Sequence, residues 1–272
     1  MLGNIWNTIL FAPIHNLLVY LYVITGSLGA SVILIIVLVR LLLTPLVIKQ
    51  YSDMKKITGI RPKLMELQTK HKDDPQKLAA AQSALYKEIG YNPLGCFVNI
   101  FVQFPIIIAL YQAVLTFTQH TPATMTGLYP FVQTALNNLG QSTFSTSLLG
   151  ILLMDSPIKH IGFNDITGSI SYVILLVLLG ISNFVPTYVS MKYINPQPKV
   201  EKKKTADGEE ESFSETFAQS MNTSTLYVMP VMITLSMLSL PSIVSIYLIF
   251  QNFVGVAQQI AVKLFYDKRA AK

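Results

Sequence analysis

The sequence contains little charge and almost no cysteine. Only 12% of its 272 residues are Asp, Glu, Lys or Arg, whereas soluble domains carry about 25%. Hydrophobic residues make up 51% of the chain, and the mean hydropathy is +0.49. This composition excludes a disordered chain and argues against a soluble enzyme. The single cysteine, Cys96, excludes an internal disulfide framework and a cysteine-rich metal site.

Motifs for catalysis are also missing. None of the four histidines begins an HExxH zinc motif, and the chain has no Walker A loop and no GxSxG elbow. The apolar stretches contain no Asp or Glu that could relay protons. We therefore expect a protein that is not an enzyme and that uses no metal, cofactor or small-molecule substrate.

Long charge-free stretches predict an all-α integral membrane protein with five transmembrane helices. A helix needs about 20 apolar residues to cross the hydrocarbon core. Residues 216–262 form a charge-free run of 47 residues, roughly 70 Å of helix and enough for two spans. Because proline ends the helix before it, Leu240-Pro241 is the expected break in this run.

The predicted organisation adds an interfacial helix before the first span and a helical hairpin in the cytoplasm. In chain order, it has an outer N-terminal segment with the interfacial helix (1–27), a first span (28–48), the cytoplasmic hairpin (49–91), a second span (93–118), an outer segment (119–165), a third span (166–191), a charged cytoplasmic loop (192–217), a fourth span (218–239), a fifth span (241–262) and a basic cytoplasmic tail (263–272).

The distribution of Lys and Arg supports this number of crossings. Eighteen of the twenty fall on one side of the membrane if the chain crosses five times, with only Lys159 opposite and Arg40 inside a span. Since Lys and Arg are retained in the cytoplasm, the N-terminus is expected outside and the C-terminus inside. A different number of crossings would scatter these charges over both sides.

The N-terminal residues are apolar, and residues 1–31 contain no Lys or Arg. Residues 13–25 favour a short helix along the outer membrane surface, with Trp6, Tyr20 and Tyr22 at headgroup depth. The alternative is a longer first span. Farther along the outer side, residues 148–154 are apolar but cannot span, and we expect them to lie at the interface.

The first cytoplasmic segment is polar yet patterned for two helices. Asp74 is a suitable N-cap, and Pro75 suits the first position of the helix that follows. Apolar residues at helical spacing would pack the two helices together; these are Leu64, Leu67, Leu78 and Leu85. The functional interpretation is a docking or gating hairpin, and the alternative is a solvated linker.

Arg40 requires a physical explanation because it lies about eight residues from either end of the first span's apolar core. Fourteen of residues 32–48 are Val, Ile or Leu, contributing about −4 to −8 kcal/mol against about +2.5 to +3.5 for a central arginine. The helix therefore inserts, but the guanidinium stays charged and needs water or partners. No span supplies a carboxylate, which favours a water-filled cavity over pairing inside the bundle.

Polar side chains on the other spans could line this cavity. The candidates are Gln103, Gln112, Ser171, Asn183, Thr234, Ser236, Ser245, Gln251 and Asn252. Taken singly, each is more often a contact between packed helices than part of a site. Together with Arg40 they suit a transient acidic or polar peptide segment. The competing interpretation makes Arg40 a packing residue that is hydrogen-bonded to Gln103 or Asn252.

These residues and their neighbours resemble the YidC-type membrane protein insertases, bacterial relatives of the oxidase-assembly insertases of organelles. The matching positions cover nearly the whole chain. They are Arg40, Thr44-Pro45, Met54-Lys55, Arg61-Pro62-Lys63, Asp73-Asp74, Leu85-Tyr86-Lys87, Asn92-Pro93-Leu94-Gly95-Cys96, Gln103, Pro105, Leu110-Tyr111, Met229-Pro230, Leu240-Pro241-Ser242, Tyr247, Asn252 and Gln258-Gln259.

The resemblance implies a groove that contains Arg40, opens to the cytoplasm and to lipid, and is closed outside. It adds Tyr247 to the groove, places the protein in the bacterial cytoplasmic membrane, and implies energy-independent insertion of nascent membrane proteins into the bilayer. The Sec translocon and the ribosome are implied partners, the latter through Lys268, Arg269 and Lys272. Three positions depart from the family pattern, and two of them would line the substrate path; the three are Ile36, Val98 and Leu248.

Two functions from other classes remain open at this point. A passive scaffold for membrane-protein assembly needs helix packing but not a hydrated Arg40. A small-solute transporter would show internal repeats with interrupted helices in matching positions of two halves. Five spans do not divide in that way.

Overall fold

The computed structural model describes residues 2–71, 74–92, 95–161, 166–194 and 224–270, and it confirms the all-α prediction. The helices are α1 (Leu2–Trp6), α2 (Ala12–Thr25), α3 (Leu28–Leu42), α4 (Thr44–Lys70), α5 (Pro75–Glu88), α6 (Gly95–Gln119), α7 (Pro130–Asn138), α8 (Ile166–Val189), α9 (Met229–Ser236) and α10 (Ser242–Ala270). Short π-helical segments cover Asn7–Phe11, Ser190–Ile194 and Ser224–Val228, and 3₁₀ turns cover Pro157–Lys159 and Met237–Ser239.

Within the described chain, four single helices are long and apolar enough to cross a membrane. They are Gly3–Thr25, Phe101–Gln119, Gly168–Lys192 and Ser242–Lys268. The bent pair of α3 and α4 brings the number to five. The predicted fourth span is seen as a shorter apolar helix, Leu226–Ser239, because residues 218–223 lie outside the described residues.

The predicted first span is broken rather than straight. Helix α3 ends at Leu42, and residues 44–48 begin α4, which continues to Lys70 at an angle of 55° to α3. Pro45 explains the break, since it has no N–H to donate and its ring clashes with the carbonyl four residues earlier. Arg40 therefore lies in the last turn of α3, and not at the centre of a straight helix.

The N-terminal helices cross α6 instead of running beside it. Trp6 Nε1 donates to Gln112 Oε1 at 3.0 Å, and the rings of Tyr22 and Phe117 lie 5.3 Å apart. Trp6 and Tyr22 are sixteen residues apart, about 24 Å along the N-terminal helices. Their partners Gln112 and Phe117 are only five residues apart, about 7.5 Å along α6. This difference favours the interfacial orientation, which stays a prediction because Gly3–Thr25 is also long enough to span.

Residues 119–161 close one end of the bundle, which we call the loop end. Strands β1 (Ser147–Leu148) and β2 (Ile151–Leu152) form an antiparallel hairpin. It is followed by Leu153, which is fully buried and whose carbonyl accepts from Ile243 N–H at 2.8 Å. The apolar stretch predicted at the membrane interface therefore packs partly into the bundle, where it covers the start of α10.

Helices α4 and α5 form the predicted helical hairpin at the opposite end, which we call the hairpin end. Asp74 caps α5 by accepting from Lys77 N–H at 3.0 Å, and Pro75 is the first residue of the helix, as predicted. The backbone and ammonium groups of Lys77 lower the pKa of Asp74. Of the leucines predicted to pack between the helices, Leu85 is buried and the others are half-buried: Leu64, Leu67 and Leu78.

Helix α4 also packs along the extension of α10 beyond the bundle. Val47 clusters with Val262, and the rings of Tyr51 and Tyr266 lie 5.3 Å apart. Lys55 Nζ lies 3.2 Å from Asp267 Oδ1. Burial lowers the pKa of Lys55, but its hydrogen bond to Asp267 and the nearby Tyr51 raise it, and the net direction is upward. We call this contact between α4 and α10 the seam.

Candidate functional site

Arg40 lies about 18 Å along α3 from Leu28, the first residue of that helix at the loop end. Its guanidinium Nη2 donates to the backbone carbonyl of Gln251 at 3.0 Å. The guanidinium lies over Gly255 of α10, where a Cβ on residue 255 would be only 2.8 Å from Nη2. Gly255 thus lets the charged group approach the α10 backbone. The Nε atom of Arg40 is buried without a hydrogen-bond partner among the described residues.

A polar stripe runs along the face of α10 that meets Arg40. Its members are four, four and three residues apart, which places them on one side of the helix; they are Tyr247, Gln251, Gly255 and Gln258. Gln251 Nε2 donates to Gln103 Oε1 at 2.8 Å, and Gln103 Nε2 donates to the Tyr247 hydroxyl. Helices α3, α6 and α10 are therefore joined by one chain of polar contacts.

Gln258 connects this stripe to the bend between α3 and α4. Its Nε2 donates to the carbonyl of Arg40 and to Thr44 Oγ1, both at 2.8 Å. The bend disturbs backbone hydrogen bonding at this point, and the carbonyl of Arg40 accepts a hydrogen bond from the Gln258 side chain instead. The bend and the position of Arg40 are thus held by the same residue.

A second group of polar side chains lies on the neighbouring face of α10. Asn252 Nδ2 donates to Asn183 Oδ1 at 2.9 Å, and Asn183 Nδ2 donates to Thr234 Oγ1 at 3.3 Å. Asn252 also lies 3.4 Å from the hydroxyl of Ser182, which is fully buried. This group joins α8, α9 and α10, and it adjoins the Arg40 group because Gln251 and Asn252 are consecutive.

The structure does not place every predicted groove residue in these groups. Ser245 is fully buried, and its hydroxyl has no hydrogen-bond partner among the described residues. Ser245 lies seven residues before Asn252, about two helical turns away, and therefore belongs to the loop-end half of the bundle. The predicted alternative bond from Arg40 to Gln103 or Asn252 is also wrong, since the carbonyl of Gln251 accepts it.

Polar and apolar residues are separated along the bundle axis. In the loop-end half the facing residues are apolar and nearly inaccessible: Leu28, Val32, Ile35, Ala113, Val114, Tyr172, Leu175, Ile243 and Ile246. The Arg40 and Asn252 groups lie beyond them, toward the hairpin end. Ser31 and Ser245 are buried exceptions in the loop-end half, so the interior of the bundle is mostly apolar at one end and more polar at the other.

The charge of Arg40 is not neutralised by any residue of the described chain. The ion pairs found there involve Lys55, Lys56, Lys77 and His160, and the contacts of Arg40 are a carbonyl and neutral neighbours. The described residues also contain no group of three or more His, Cys, Asp or Glu that could hold a metal ion. The site is therefore a cationic, hydrogen-bonding surface without a visible catalytic group.

Thr44, Gly255 and Gln258 contribute to the site but were not predicted as site residues from their residue types. Gly255 and Gln258 share one face of α10 with Tyr247 and Gln251, and this spacing reveals a stripe only when the positions are considered together. Thr44 follows Arg40 by four residues in the chain. Ile36, predicted to line the substrate path, is 1% exposed and belongs to the apolar core. The side chain of Val98 lies outside the described residues, and Leu248 is half-buried.

The candidate ribosome-contacting residues are only partly visible. Lys268 is exposed on the last turns of α10, next to Asp267 in the seam. The side chain of Arg269 and all of Lys272 lie outside the described residues. The continuous helix nevertheless carries the start of the tail alongside α4.

The fold and this site define a class: a multi-pass helical membrane protein with a half-buried arginine whose partners among the described residues are uncharged. The sequence profile of the family described as 60Kd inner membrane protein matches residues 20–269. The chain belongs to this family, which includes the YidC and Oxa1 proteins.

Individual relatives carry the name "Membrane protein insertase YidC". The Shewanella woodyi protein is 28% identical over 267 residues, which are 97% of this chain and 38% of the relative. The Wolinella succinogenes protein is 27% identical over 95% of this chain and 38% of the relative. The Buchnera aphidicola protein is 39% identical over 110 residues, 40% of this chain and 21% of the relative. The chain thus spans about two fifths of the length of the first two relatives.

Proposed function

We propose that this chain inserts hydrophobic segments of nascent membrane proteins into the bilayer and moves their short polar flanks across. The observation that supports the proposal best is the environment of Arg40. A guanidinium within the bilayer region has no carboxylate partner in the described chain, and such a charge needs water or a transient partner. A hydrated groove supplies the water, and an entering polar flank supplies the partner.

The separation of polar and apolar halves supports a mechanism with two stages. A flank enters from the hairpin end, where Arg40, Gln103, Gln251 and Asn252 replace part of its hydration. Because the hairpin-end half is hydrated in this proposal, the flank must cross without water only over the apolar half at the loop end. The attached hydrophobic segment moves sideways into lipid, where burial of its apolar surface drives release. No nucleotide hydrolysis is needed for these steps.

We infer the orientation from charge. The hairpin end carries the Lys- and Arg-rich segments, and positive residues are retained in the cytoplasm. The hairpin and the C-terminus are therefore proposed to face the cytoplasm, and the N-terminus and residues 119–165 the outside, in a bacterial cytoplasmic membrane. The ribosome is proposed to contact the basic tail, and the Sec translocon to act as a partner for larger clients.

Reconstitution tests the proposal directly. The purified chain in lipid vesicles, without other factors, is expected to insert a short single-span substrate so that its polar flank becomes protected from external protease. A passive scaffold binds the substrate without protecting the flank. If folded and correctly oriented wild-type protein fails to insert the substrate, the insertase proposal is wrong and the passive scaffold is the better interpretation.

A further inference from the structure

A cleft of about 450 Å³ lies between the N-terminal helices and the last turns of α6. Its walls are Gly3, Trp6, Asn7 and Phe11 on one side and Gln112, Leu115 and Gln119 on the other. Trp6, Asn7 and Phe11 follow Gly3 by three, four and eight residues, and Leu115 and Gln119 follow Gln112 by three and seven, so each set lies on one side of a helix. Two helix faces that meet normally fill the space between them, and a gap of this size falls in the range of ligand sites.

The cleft presents hydrogen-bond donors that the protein itself does not use. Trp6 Nε1 donates to Gln112 Oε1 at 3.0 Å, which leaves both hydrogens of the Gln112 amide nitrogen available. The exposed side-chain amides of Asn7 and Gln119 make no hydrogen bond within the described part of the chain. Phe11 and Leu115 supply an apolar surface between these amides.

The position of the cleft in the membrane makes it energetically unfavourable to leave these amide donors without a hydrogen-bond partner. Gln119 ends α6 at the loop end, and Gln112 lies about 10 Å deeper along the helix. The cleft therefore crosses from the membrane surface into hydrocarbon, a depth at which tryptophan is enriched. An amide facing hydrocarbon without a partner loses its hydration without compensation. A ligand with acceptor atoms at the surface and an apolar tail below them would satisfy both parts of the cleft.

We propose that this cleft binds the glycerol-ester region of one phospholipid. The amides of Asn7, Gln112 and Gln119 donate to the ester and phosphodiester oxygens, and the first acyl carbons lie against Phe11 and Leu115. No charged side chain lines the cleft, and residues 1–39 contain no Asp, Glu, Lys or Arg. The site therefore selects no headgroup charge. It is independent of the insertion activity, because Arg40 belongs to a different part of the bundle.

Trp6 is the only tryptophan in the sequence, so its fluorescence reports on the cleft alone. The purified chain in detergent micelles is titrated with a phosphatidylcholine brominated on the acyl carbons next to the ester. Bromine quenches indole fluorescence on contact, and saturable quenching is expected. Gly3→Leu should raise the half-saturating lipid concentration about tenfold, because the new side chain fills space that is empty now: a Cβ at Gly3 meets nothing within 4 Å.

Gly59→Leu is the matched control, since a Cβ there also meets nothing within 4 Å but the residue is on the hairpin. It should leave the titration unchanged. Asn7→Leu gives a second test that removes one donor without filling the cleft, and it should weaken quenching. Circular dichroism checks that each variant keeps its helix content.

Three results would overturn the proposal. One is an identical titration for wild type and Gly3→Leu with helix content preserved. Another is quenching that rises without saturation, which is ordinary partition of lipid into the micelle. The third is a strong preference for brominated phosphatidylglycerol over brominated phosphatidylcholine, which requires a cation that the cleft does not contain. Equal affinity for the two headgroups supports it.

Discussion

Arg40 shows how a charged residue can be tolerated in an apolar helix without a counter-charge. It lies in the last turn of α3, beside a bend, and its guanidinium contacts a carbonyl of Gln251 over the bare backbone of Gly255. These contacts orient the group, and no residue of the described chain compensates its charge. We interpret that remaining charge as the functional property of the residue.

Substitutions at Arg40 separate charge from hydrogen-bond geometry. Arg40→Lys keeps the charge and loses the planar fork, so it should retain substantial insertion activity. Arg40→Ala should lose it, and Arg40→Glu should be worst because it repels acidic flanks. The loss should be a few-fold greater for substrates with Asp or Glu in the translocated flank, since charges interact more strongly at lower dielectric.

The measurement compares insertion of matched acidic and neutral substrates at equal protein levels in the membrane. If Arg40 is only a packing residue, all three variants should lose folded protein regardless of substrate charge. Equal defects on both substrates, with normal protein levels, would contradict the electrostatic account.

Gly255 allows a test of Arg40's position that leaves Arg40 itself unchanged. Gly255→Ala places a Cβ 2.8 Å from the present position of Nη2, so the flexible end of the arginine must move away from the Gln251 carbonyl. Gly255→Val adds overpacking of about 1–3 kcal/mol. Insertion of acidic substrates should fall in both variants, more in the valine variant.

Gly180→Ala is the control for this pair, because a Cβ there makes ordinary contacts of 3.8 and 3.9 Å with Thr234. It should insert both substrates normally. Wild-type activity in Gly255→Val would show that the placement of the guanidinium against α10 is unimportant.

At this scale the sequence predicts which residues matter better than it predicts what they contact. Residue type alone marks Arg40, Gln103 and Asn252, because polar groups are rare in apolar helices. It cannot show that Arg40 bonds to a backbone carbonyl, since every residue offers one. Gly255 was missed for a related reason: a glycine in a membrane helix is common, and its importance depends on the side chain that lies opposite.

At the scale of elements, the bend after α3 connects the hairpin directly to the site, because the helix that follows the bend is also the first helix of the hairpin. Helix α4 is continuous from Thr44 to Lys70, so it begins beside Arg40 and ends at the hairpin tip. The bend and the hairpin are therefore connected by one helix, which contains Pro62 in its interior. Gln258 and the seam hold α4 against α10, which sets the resting position of this element.

The hairpin should be required for full activity although it carries no catalytic group. Leu67→Asp places a charge among the half-buried leucines between α4 and α5 and removes packing of about 1.5–3 kcal/mol. The hairpin should lose order and insertion should decrease, while the bundle stays folded. Protease sensitivity of the hairpin and insertion of the single-span substrate are measured together.

Met65→Asp is a useful control, because Met65 is 49% exposed on the same helix. It adds the same charge without entering the contact between the helices. Normal insertion by Leu67→Asp despite a protease-sensitive hairpin would make the hairpin a linker, which is the alternative interpretation.

The basic tail should contribute through electrostatics. Replacing Lys268, Arg269 and Lys272 with glutamine should weaken ribosome binding, and the difference from wild type should shrink as salt rises, because contacts with RNA phosphates release counterions. Co-sedimentation with ribosomes at low and high salt measures both effects. If the glutamine variant binds ribosomes as well as wild type at low salt, the tail does not contact the ribosome and its charges serve only to keep the C-terminus in the cytoplasm.

The prediction of elements from sequence succeeded where the signal was local. Asp74-Pro75 has a capping side chain and a fixed backbone angle, and both act within one turn. The prediction of a first span over residues 28–48 did not include the bend at Pro45, because the apolar run continues past the proline and hides the break. Residues 148–154 were expected at the interface, and their burial depends on α10, nearly a hundred residues later.

At the scale of the whole molecule, the buried side chains of the bundle are mostly apolar toward the loop end, and the polar groups around Arg40 and Asn252 lie toward the hairpin end. Composition and charge distribution predicted a multi-pass helical membrane protein, because this is a property of the entire chain; the assignment of five particular spans stays a prediction. They could not predict this alignment of halves, which requires the helices to be placed side by side. The alignment turns scattered polar residues into one surface around Arg40.

Thiol labelling along α3 is the most direct test of a hydrated groove at Arg40. With Cys96 replaced by serine, single cysteines are introduced at Val37, Leu38 and Val32 and exposed to a membrane-impermeant maleimide. Val37 is one turn from Arg40 on the same face, Leu38 is 45% exposed toward lipid, and Val32 is fully buried in the apolar half. Maleimide reacts with the thiolate, which forms only in contact with water.

A hydrated groove predicts labelling of the residue 37 variant from the hairpin side, and no labelling at residues 38 and 32 from either side. Adjacent positions on one helix turn would then differ because one faces water and the other lipid. An unlabelled cysteine at position 37, in protein that is folded and inserted, would show that the surface around Arg40 is dry and would contradict the groove.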